Sequence, residues 1–346
     1  MKLKISICIP QYNRIDFLLI SLNKLAKQTY TNFEVIVSDD CSSDQTEEKI
    51  LKYKETSSYP ITYHRFEQNQ GYDRNLRNSI ELATGDYCII LGNDDTLNND
   101  DDLQKLVDFL EGNDLPDIGF CNSIDYINHD DISIRAKESK VFGSGIDIAL
   151  KYYSSFSFVA GIIVKKSAFD EVNTSAYDKS IYVQIYLAVK IILKGGKFFT
   201  ISDLFIQKDI RVDGSKANSY LDTLPRKWKE YKDLDAGLPS YVNVTLSAFK
   251  DLGLLQSKYI VKIISRIYGV TYPYWILNYK ENGAFVAAVG LFNGLSLKSF
   301  KTYYSELPFL YKLRIALTYY IATILAFIMP VFLFNFIKKQ LYGLVK

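Results

Sequence analysis

Four short apolar runs, each ending in a polar loop, constrain this chain more than any other feature. Ile5-Ser6-Ile7-Cys8-Ile9 stops at Pro10 and gives way to Gln11-Tyr12-Asn13-Arg14. Phe33-Glu34-Val35-Ile36-Val37 ends in Ser38-Asp39-Asp40. Ile61-Thr62-Tyr63-His64-Arg65 leads to Asn69-Gln70-Gly71, and Asp86-Tyr87-Cys88-Ile89-Ile90 leads to Leu91-Gly92-Asn93-Asp94-Asp95. An amphipathic run from Leu18 to Ala26 separates the first two, and one from about Asp73 to Ala83 separates the last two. Strands alternating with helices predict an α/β architecture, a mostly parallel sheet flanked by helices. The loops then gather at the carboxyl edge, where open sheets bind ligands.

Carboxylates crowd that edge. Asp94 and Asp95 repel each other unless a cation sits between them, and a divalent metal holding a diphosphate answers that need. The plain alternative is an acidic turn before a helix starting near Asp100-Asp101-Asp102. Asp39 and Asp40 form a second pair, for which the plain reading is an Asx-type turn with Ser42 and Ser43.

Taken together, SICIPQYNR (6–14), FEVIVSDDCSSD (33–44), NQG (69–71) and ATGDYCIILGNDD (83–95) resemble the family 2 glycosyltransferases of the Rossmann-like GT-A fold. The likeness covers roughly residues 1–210, in the right order and spacing. It implies a nucleotide-sugar donor, a divalent metal (Mn²⁺ or Mg²⁺) and inversion at the anomeric carbon. Asn93-Asp94-Asp95 matches the family's metal motif with Asn in the first place. The metal role falls to Asp95 and a ribose or metal role to Asp94, while Asn93 offers only a neutral oxygen. Asp39 and Asp40 match the carboxylates that meet base and ribose, which suits a group that accepts hydrogen bonds from a base N–H or hydroxyls. Pro10, Tyr12 and Arg14 match the first nucleotide-contact loop: Tyr12 can pack on the base and Arg14 can approach phosphates. Arg74, Asn75, Arg77 and Asn78 lie on the helix after a Gly-containing loop, and one face of it, with Asn75, can reach the donor. Arg211 falls where the family has a late loop over the diphosphate.

The catalytic base departs from the family pattern. Inverting transfer needs a group to take the acceptor hydroxyl proton. The family carries an acidic pair about eleven residues before the glycine that closes a helix. Here the helix Ile181 to Lys194 is closed by Gly195-Gly196, and the corresponding position is Val183-Gln184, which has no carboxylate. Asp178 is the nearest acid and the candidate base. The alternatives are Gln184 acting only to position the acceptor, or a chain that binds donor without transferring it.

Charge is nearly balanced, 41 Lys and Arg against 39 acids, which gives no general pull toward nucleic acid. Cys8, Cys41, Cys88 and Cys121 show no paired spacing and read as thiols in a reducing cytosol. The two histidines, His64 and His129, leave no His-rich zinc site. Met1-Lys2-Leu3-Lys4 runs straight into a strand, so no secretory leader is expected.

The composition changes after about residue 220, dividing a transferase domain, 1–220, from a helical C-terminal region, 221–346. Ile315 to Phe334 is uncharged over 20 residues, long enough to span a bilayer, though Pro330 should kink it. Residues 301–346 hold six cations and a single acid, Glu306, a balance that suits an anionic membrane surface. A span, a helix dipping into the cytoplasmic leaflet and an oligomer-interface helix all satisfy this pattern. The expected partners are therefore a nucleotide-sugar donor, a lipid-linked glycan acceptor and the cytoplasmic face of the cell membrane, with a homo-oligomer as an option. A processive synthase would need further spans and a QxxRW motif, and neither is found.

Overall fold

The computed structural model describes residues 2–212 and 238–345. The chain forms two units: Met1–Lys179 with Leu187–Asn218, and Ser180–Tyr186 with Ser219–Lys346. The domain boundary expected near residue 220 lies outside the described residues.

The first unit is built on one sheet. Its strands are β1 (Ile5–Gln11), β2 (Phe33–Asp39), β3 (Ile61–Arg65), β4 (Tyr87–Ile90), β5 (Thr96–Leu97), β6 (Ile118–Asp125), β7 (Ile132–Ser133), β8 (Lys140–Gly143), β9 (Ile162–Lys165) and β10 (Phe198–Lys208). The spatial order is β3-β2-β1-β4-β9-β6-β10-β5, with β7 on β6 and β8 on β10. β3, β2, β1 and β4 are parallel neighbours, β9 is antiparallel to both β4 and β6, and β6 and β10 are parallel. The sheet is thus mixed, yet β3, β2, β1, β4, β6 and β10 all point one way. The helices of this unit are α1 (Ile15–Leu25), α2 (Thr46–Thr56), α3 (Tyr72–Glu81), α4 (Asp102–Gly112), α5 (Ile146–Tyr152), α6 (Lys166–Val172) and α7 (Val183–Leu193), the last running from the second unit into the first.

The apolar runs become strands because every residue of β1, β2 and β4 is buried, so aliphatic side chains are needed on both faces. One face of the sheet packs α1 through Leu18, Leu22 and Leu25 and α4 through Leu103, Leu106 and Leu110. Pro10 sits inside β1 and is buried there, so it is not part of the loop assigned to it from sequence. Its position still matters. The β1–β4 ladder ends at Cys8 opposite Ile90, just before the residue that has no N–H to give. From β1 the chain runs outward through β2 to β3, then returns to β4 on the other side. That reversal is a topological switch point, where a crevice opens beyond the strand ends.

The second unit is helical: Leu238–Asp251, Ser257–Arg266, Tyr272–Glu281, Phe285–Gly294, Phe309–Ile328 and Val331–Val345 are its longer helices. The uncharged stretch read as one segment, 315–334, is divided between two helices that meet at Met329-Pro330. Phe309–Ile328 is long and apolar enough, by length and composition, to cross a membrane. Lys280 builds the break: its Nζ donates to the carbonyls of Ala326, Phe327 and Met329 at 2.9, 2.7 and 2.8 Å. A cation there also complements the negative end of the helix. Lys280→Met keeps the stem and deletes the donor. It should cost about 2 kcal/mol of this unit's stability, seen as a lower unfolding midpoint with unchanged nucleotide affinity.

Candidate active site

Parallel register delivers the site. Gln11 of β1, Asp39 of β2 and Arg65 of β3 lie level with one another at the carboxyl edge. Beyond β4, Leu91 N–H still bonds Cys8 O at 3.0 Å, and the chain then turns through Gly92 to Asp95.

Asp95 is buried, and Asp94 is partly exposed beside it. Two backbone bonds tie this loop to the segment after β10: Asp209 N–H donates to Asp95 Oδ1 at 3.1 Å, and Ile210 N–H to Asp94 O at 2.7 Å. Burial, followed by the neighbouring Asp94 charge, holds the Asp95 carboxyl well above the usual carboxylate range. Asp209 is raised as well, mainly by burial, with Asp94 adding to it and Lys208 opposing it. Arg14 forms an ion pair with Asp94 Oδ2. Arg211, one residue past the clipped segment, is exposed and 3.9 Å from Asp125 Oδ2.

A divalent metal fits this donor set. Two adjacent carboxylates, one of them buried and reluctant to ionise, are stabilised by a neighbouring positive charge. Among the described residues no three His, Cys, Asp or Glu side chains converge into a closed cage. A hard cation that takes one or two carboxylates and completes its shell with substrate phosphates suits such a half-built site. The Asn93 amide nitrogen lies 3.0 Å from the side-chain amide of Gln11, bracing the loop after β4 against β1.

Gly92 makes room for Asp95. A Cβ added there would lie 2.4 Å from Asp95 Oδ2, inside contact distance. Gly92→Ala should therefore displace the carboxylate, lowering Mn²⁺-supported nucleoside-diphosphate affinity at least tenfold by calorimetry while the fold persists.

The Asp39-Asp40 pair is buried and organises the loops around it. Asp39 Oδ1 accepts Ser42 N–H at 3.0 Å together with the Ser42 hydroxyl, and Oδ2 accepts the Tyr63 hydroxyl at 2.7 Å. The Asx-type turn read as the plain alternative is thus present for Asp39 with Ser42. Asp40 accepts the N–H groups of Gln70 at 2.6 Å and Gly71 at 3.0 Å, pinning the start of α3. Asp39 Oδ1 is filled by Ser42, whereas Asp39 Oδ2 and both Asp40 oxygens accept one bond each and keep a lone pair for a donor hydroxyl or base N–H. Asn75 reaches back from α3 to Gln11 O at 3.0 Å, and its buried Oδ1 has no partner among the described residues. Asn78 bonds Ser38 Oγ at 2.8 Å. Tyr12 is 48% exposed, so its ring face is open to a ligand.

Asp178, the candidate base, lies in a turn ahead of α7, and Arg77 grips it bidentately, Nε to Oδ1 at 2.8 Å and Nη2 to Oδ2 at 2.7 Å. Arg77 also donates to Glu81 at 2.7 Å and Asn173 at 2.9 Å. The helical face carrying Arg74 and Arg77 is therefore salt-bridged within the protein, whereas the face with Asn75 and Asn78 meets the strand ends. Gln184, at the position where the family has its acid, is buried, and its Oε1 has no partner among the described residues. Two contributors escaped the sequence reading: Gly92, signalled only by a glycine before the acidic pair, and the Asp209 backbone, which leaves no sequence signal.

A six-strand parallel frame, a crevice at its switch point and paired carboxylates on the loop beyond β4 are the arrangement of the GT-A fold. Residues 6–172, just under half of this chain, match the model of Glycosyl transferase family 2. Over 203 residues it is 33% identical to abequosyltransferase RfbV of Salmonella typhimurium, a match covering 54% of this chain and 60% of that protein. Over 101 residues it is 35% identical to the poly(ribitol-phosphate) β-N-acetylglucosaminyltransferase TarS of Staphylococcus aureus, covering 28% of this chain and 17% of TarS. These matches therefore span less than two thirds of either relative. In fold, the chain resembles TarS 1–349 in complex with UDP, at a TM-score of 0.59, 16% identity and coverage of 93% and 90%. It also resembles mannosyltransferase PcManGT of Pyrobaculum calidifontis in complex with GDP-Man and Mn²⁺, at 0.52, 15% identity and coverage of 94% and 87%.

Proposed function

We propose that this protein is a metal-dependent, inverting glycosyltransferase. It moves a sugar from a nucleotide-sugar donor to a polyprenyl-diphosphate-linked glycan at the cytoplasmic face of the cell membrane, in surface polysaccharide synthesis. The observation that carries the donor half is the Asp94-Asp95 pair at the switch point, held against the segment before Arg211. Asp95, with Asp94, would hold Mn²⁺ or Mg²⁺, which supplies charge neutralisation on the departing diphosphate. Arg14 and Arg211 lie on the two loops that flank the pair and would meet the same phosphates. Tyr12 stacks on the base, Asp39 and Asp40 accept from base and ribose, and the open Oδ1 of Asn75 is a further acceptor. Asp178 is the nearest acid to the family's base position and takes the acceptor proton. The GDP-Man and Mn²⁺ bound by PcManGT and the UDP bound by TarS support a metal and a nucleotide donor.

Support for the acceptor half comes from the second unit. Phe309, Leu310, Ile324, Ile328, Phe332 and Phe336 are exposed, and the same stretch is rich in cations and poor in acids. Such a face favours an anionic leaflet over water. The TarS match favours a second reading, a polyol-phosphate acceptor with these helices as an oligomer interface.

Calorimetry with UDP, GDP, CDP and TDP, in Mn²⁺ and in EDTA, tests the donor half. One nucleotide should bind at least tenfold more tightly than the others, and EDTA should weaken it. No binding by any of the four would overturn the assignment.

A further inference from the structure

The second unit carries a long apolar trough that the transfer chemistry leaves unused. One wall is the helix Phe309–Ile328. The other is the helix Tyr272–Glu281 with the π-helical turn Ile267–Thr271 before it. The trough encloses about 720 Å³, and its lining runs from Leu310 to Met329. That stretch is about 28 Å of helix at a rise of 1.5 Å per residue. Leu317, Ile321 and Leu325 line it and stay about half exposed, so the unit's own packing does not fill it.

Backbone geometry shapes the slot. The π turn widens one wall, a distortion that recurs at functional sites. Gly269 lies in that turn, and an added Cβ would make only an ordinary 3.5 Å contact with Thr318 Cγ2. The missing side chain is therefore space in the trough rather than a backbone requirement.

Charge selects the occupant. Arg314 is the sole charged residue in the lining, and Lys312 neighbours it near the Leu310 end. Neither has a carboxylate partner among the described residues, where the ion pair found in these helices is Lys338 with Glu281. Two copies meeting trough to trough would bring Arg314 and Lys312 against the same cations, so like charges would meet in that arrangement. A glycerolipid brings two chains to a slot that has room along one line. A single long hydrocarbon with a phosphate at one end satisfies both the length and the charge.

We propose that this trough holds the polyprenyl chain of the acceptor, with Arg314 at its phosphate end. This rests on the lipid-linked acceptor reading above.

The test uses the full chain in phosphatidylcholine–phosphatidylglycerol nanodiscs containing a trace of undecaprenyl phosphate. A benzophenone amino acid replaces Leu317 or Ile321, and adducts are read by mass spectrometry after irradiation. Undecaprenyl phosphate should be captured at least tenfold above its mole fraction. Gly269→Phe, which plugs the slot, should cut that capture about tenfold. Arg314→Gln should reduce capture of undecaprenyl phosphate but not of undecaprenol. Capture in proportion to mole fraction would make the trough an ordinary membrane-facing surface, and a protein–protein adduct would make it a subunit interface. Either result overturns the proposal. Nucleotide affinity measured on the same samples separates this outcome from failure of the transferase reading and shows that each variant is folded.

Discussion

Asp95→Asn should give a folded protein that no longer transfers sugar, with the rate down by about 10³-fold or more, the loss expected when a metal's anchoring charge is removed. The substitution preserves shape, and its oxygen can still accept the Asp209 N–H. Nucleoside-diphosphate affinity should fall to the value wild type shows in EDTA and should no longer respond to Mn²⁺. Stability supplies a second readout. The Asp95 carboxyl binds its proton more tightly folded than unfolded, because of burial and then Asp94. A group of that kind stabilises the fold while protonated. Its contribution is complete below the unfolded value of about 4 and is lost as pH rises through the folded value. The metal-free variant should escape that loss and be at least as stable as wild type near neutral pH. The rise in unfolding midpoint that Mn²⁺ and nucleotide together give wild type should vanish. An unchanged response to Mn²⁺ would take the metal away from Asp95.

What the sequence made legible follows from how local each determinant is. β1, β2 and β4 could be read because each is buried on both faces and so is written mostly in aliphatic residues, while β3, only partly buried, was read from its β-branched and aromatic residues and matched at both ends. α2 was missed because Thr46 and Ile50 are its only buried residues, too few for a helical stripe. β9 has four residues, and β10 shifts register against β6 between Ile201 and Ile206, so neither shows a clean period. The order that inserts β9 antiparallel between β4 and β6 is a long-range fact with no local signature. The site divides in the same way. The acidic pairs announce themselves, but the bonds that Asp39 and Asp40 make cross 24 to 31 residues in Tyr63, Gln70 and Gly71. Pro10 was read as the strand's stop, and β1 runs one residue past it to Gln11. Here the β1–β4 ladder has already ended, so the missing N–H costs nothing.

The grip of Arg77 on Asp178 spans 101 residues and could not have been read from spacing. It sharpens the second large expectation. Asp178→Asn should reduce transfer by about 10²-fold or more without changing donor affinity, if this carboxylate takes the acceptor proton. The variant also turns an amide N–H₂ toward a buried guanidinium, so some loss of stability is expected whichever role Asp178 plays. Arg77→Lys separates the two roles. It keeps a cation beside the carboxylate but loosens the fork that occupies both oxygens. A base released in this way should keep transferring even after correction for the folded fraction, at or above the wild-type rate, whereas Asp178→Asn should not. A purely anchoring pair should instead lower the unfolding midpoint in both variants, with residual transfer tracking the folded fraction. That second pattern would pass the acceptor site to Gln184, whose buried Oε1, without a partner among the described residues, can accept a hydroxyl's hydrogen bond but cannot take its proton. Transfer would then proceed without a protein carboxylate as base.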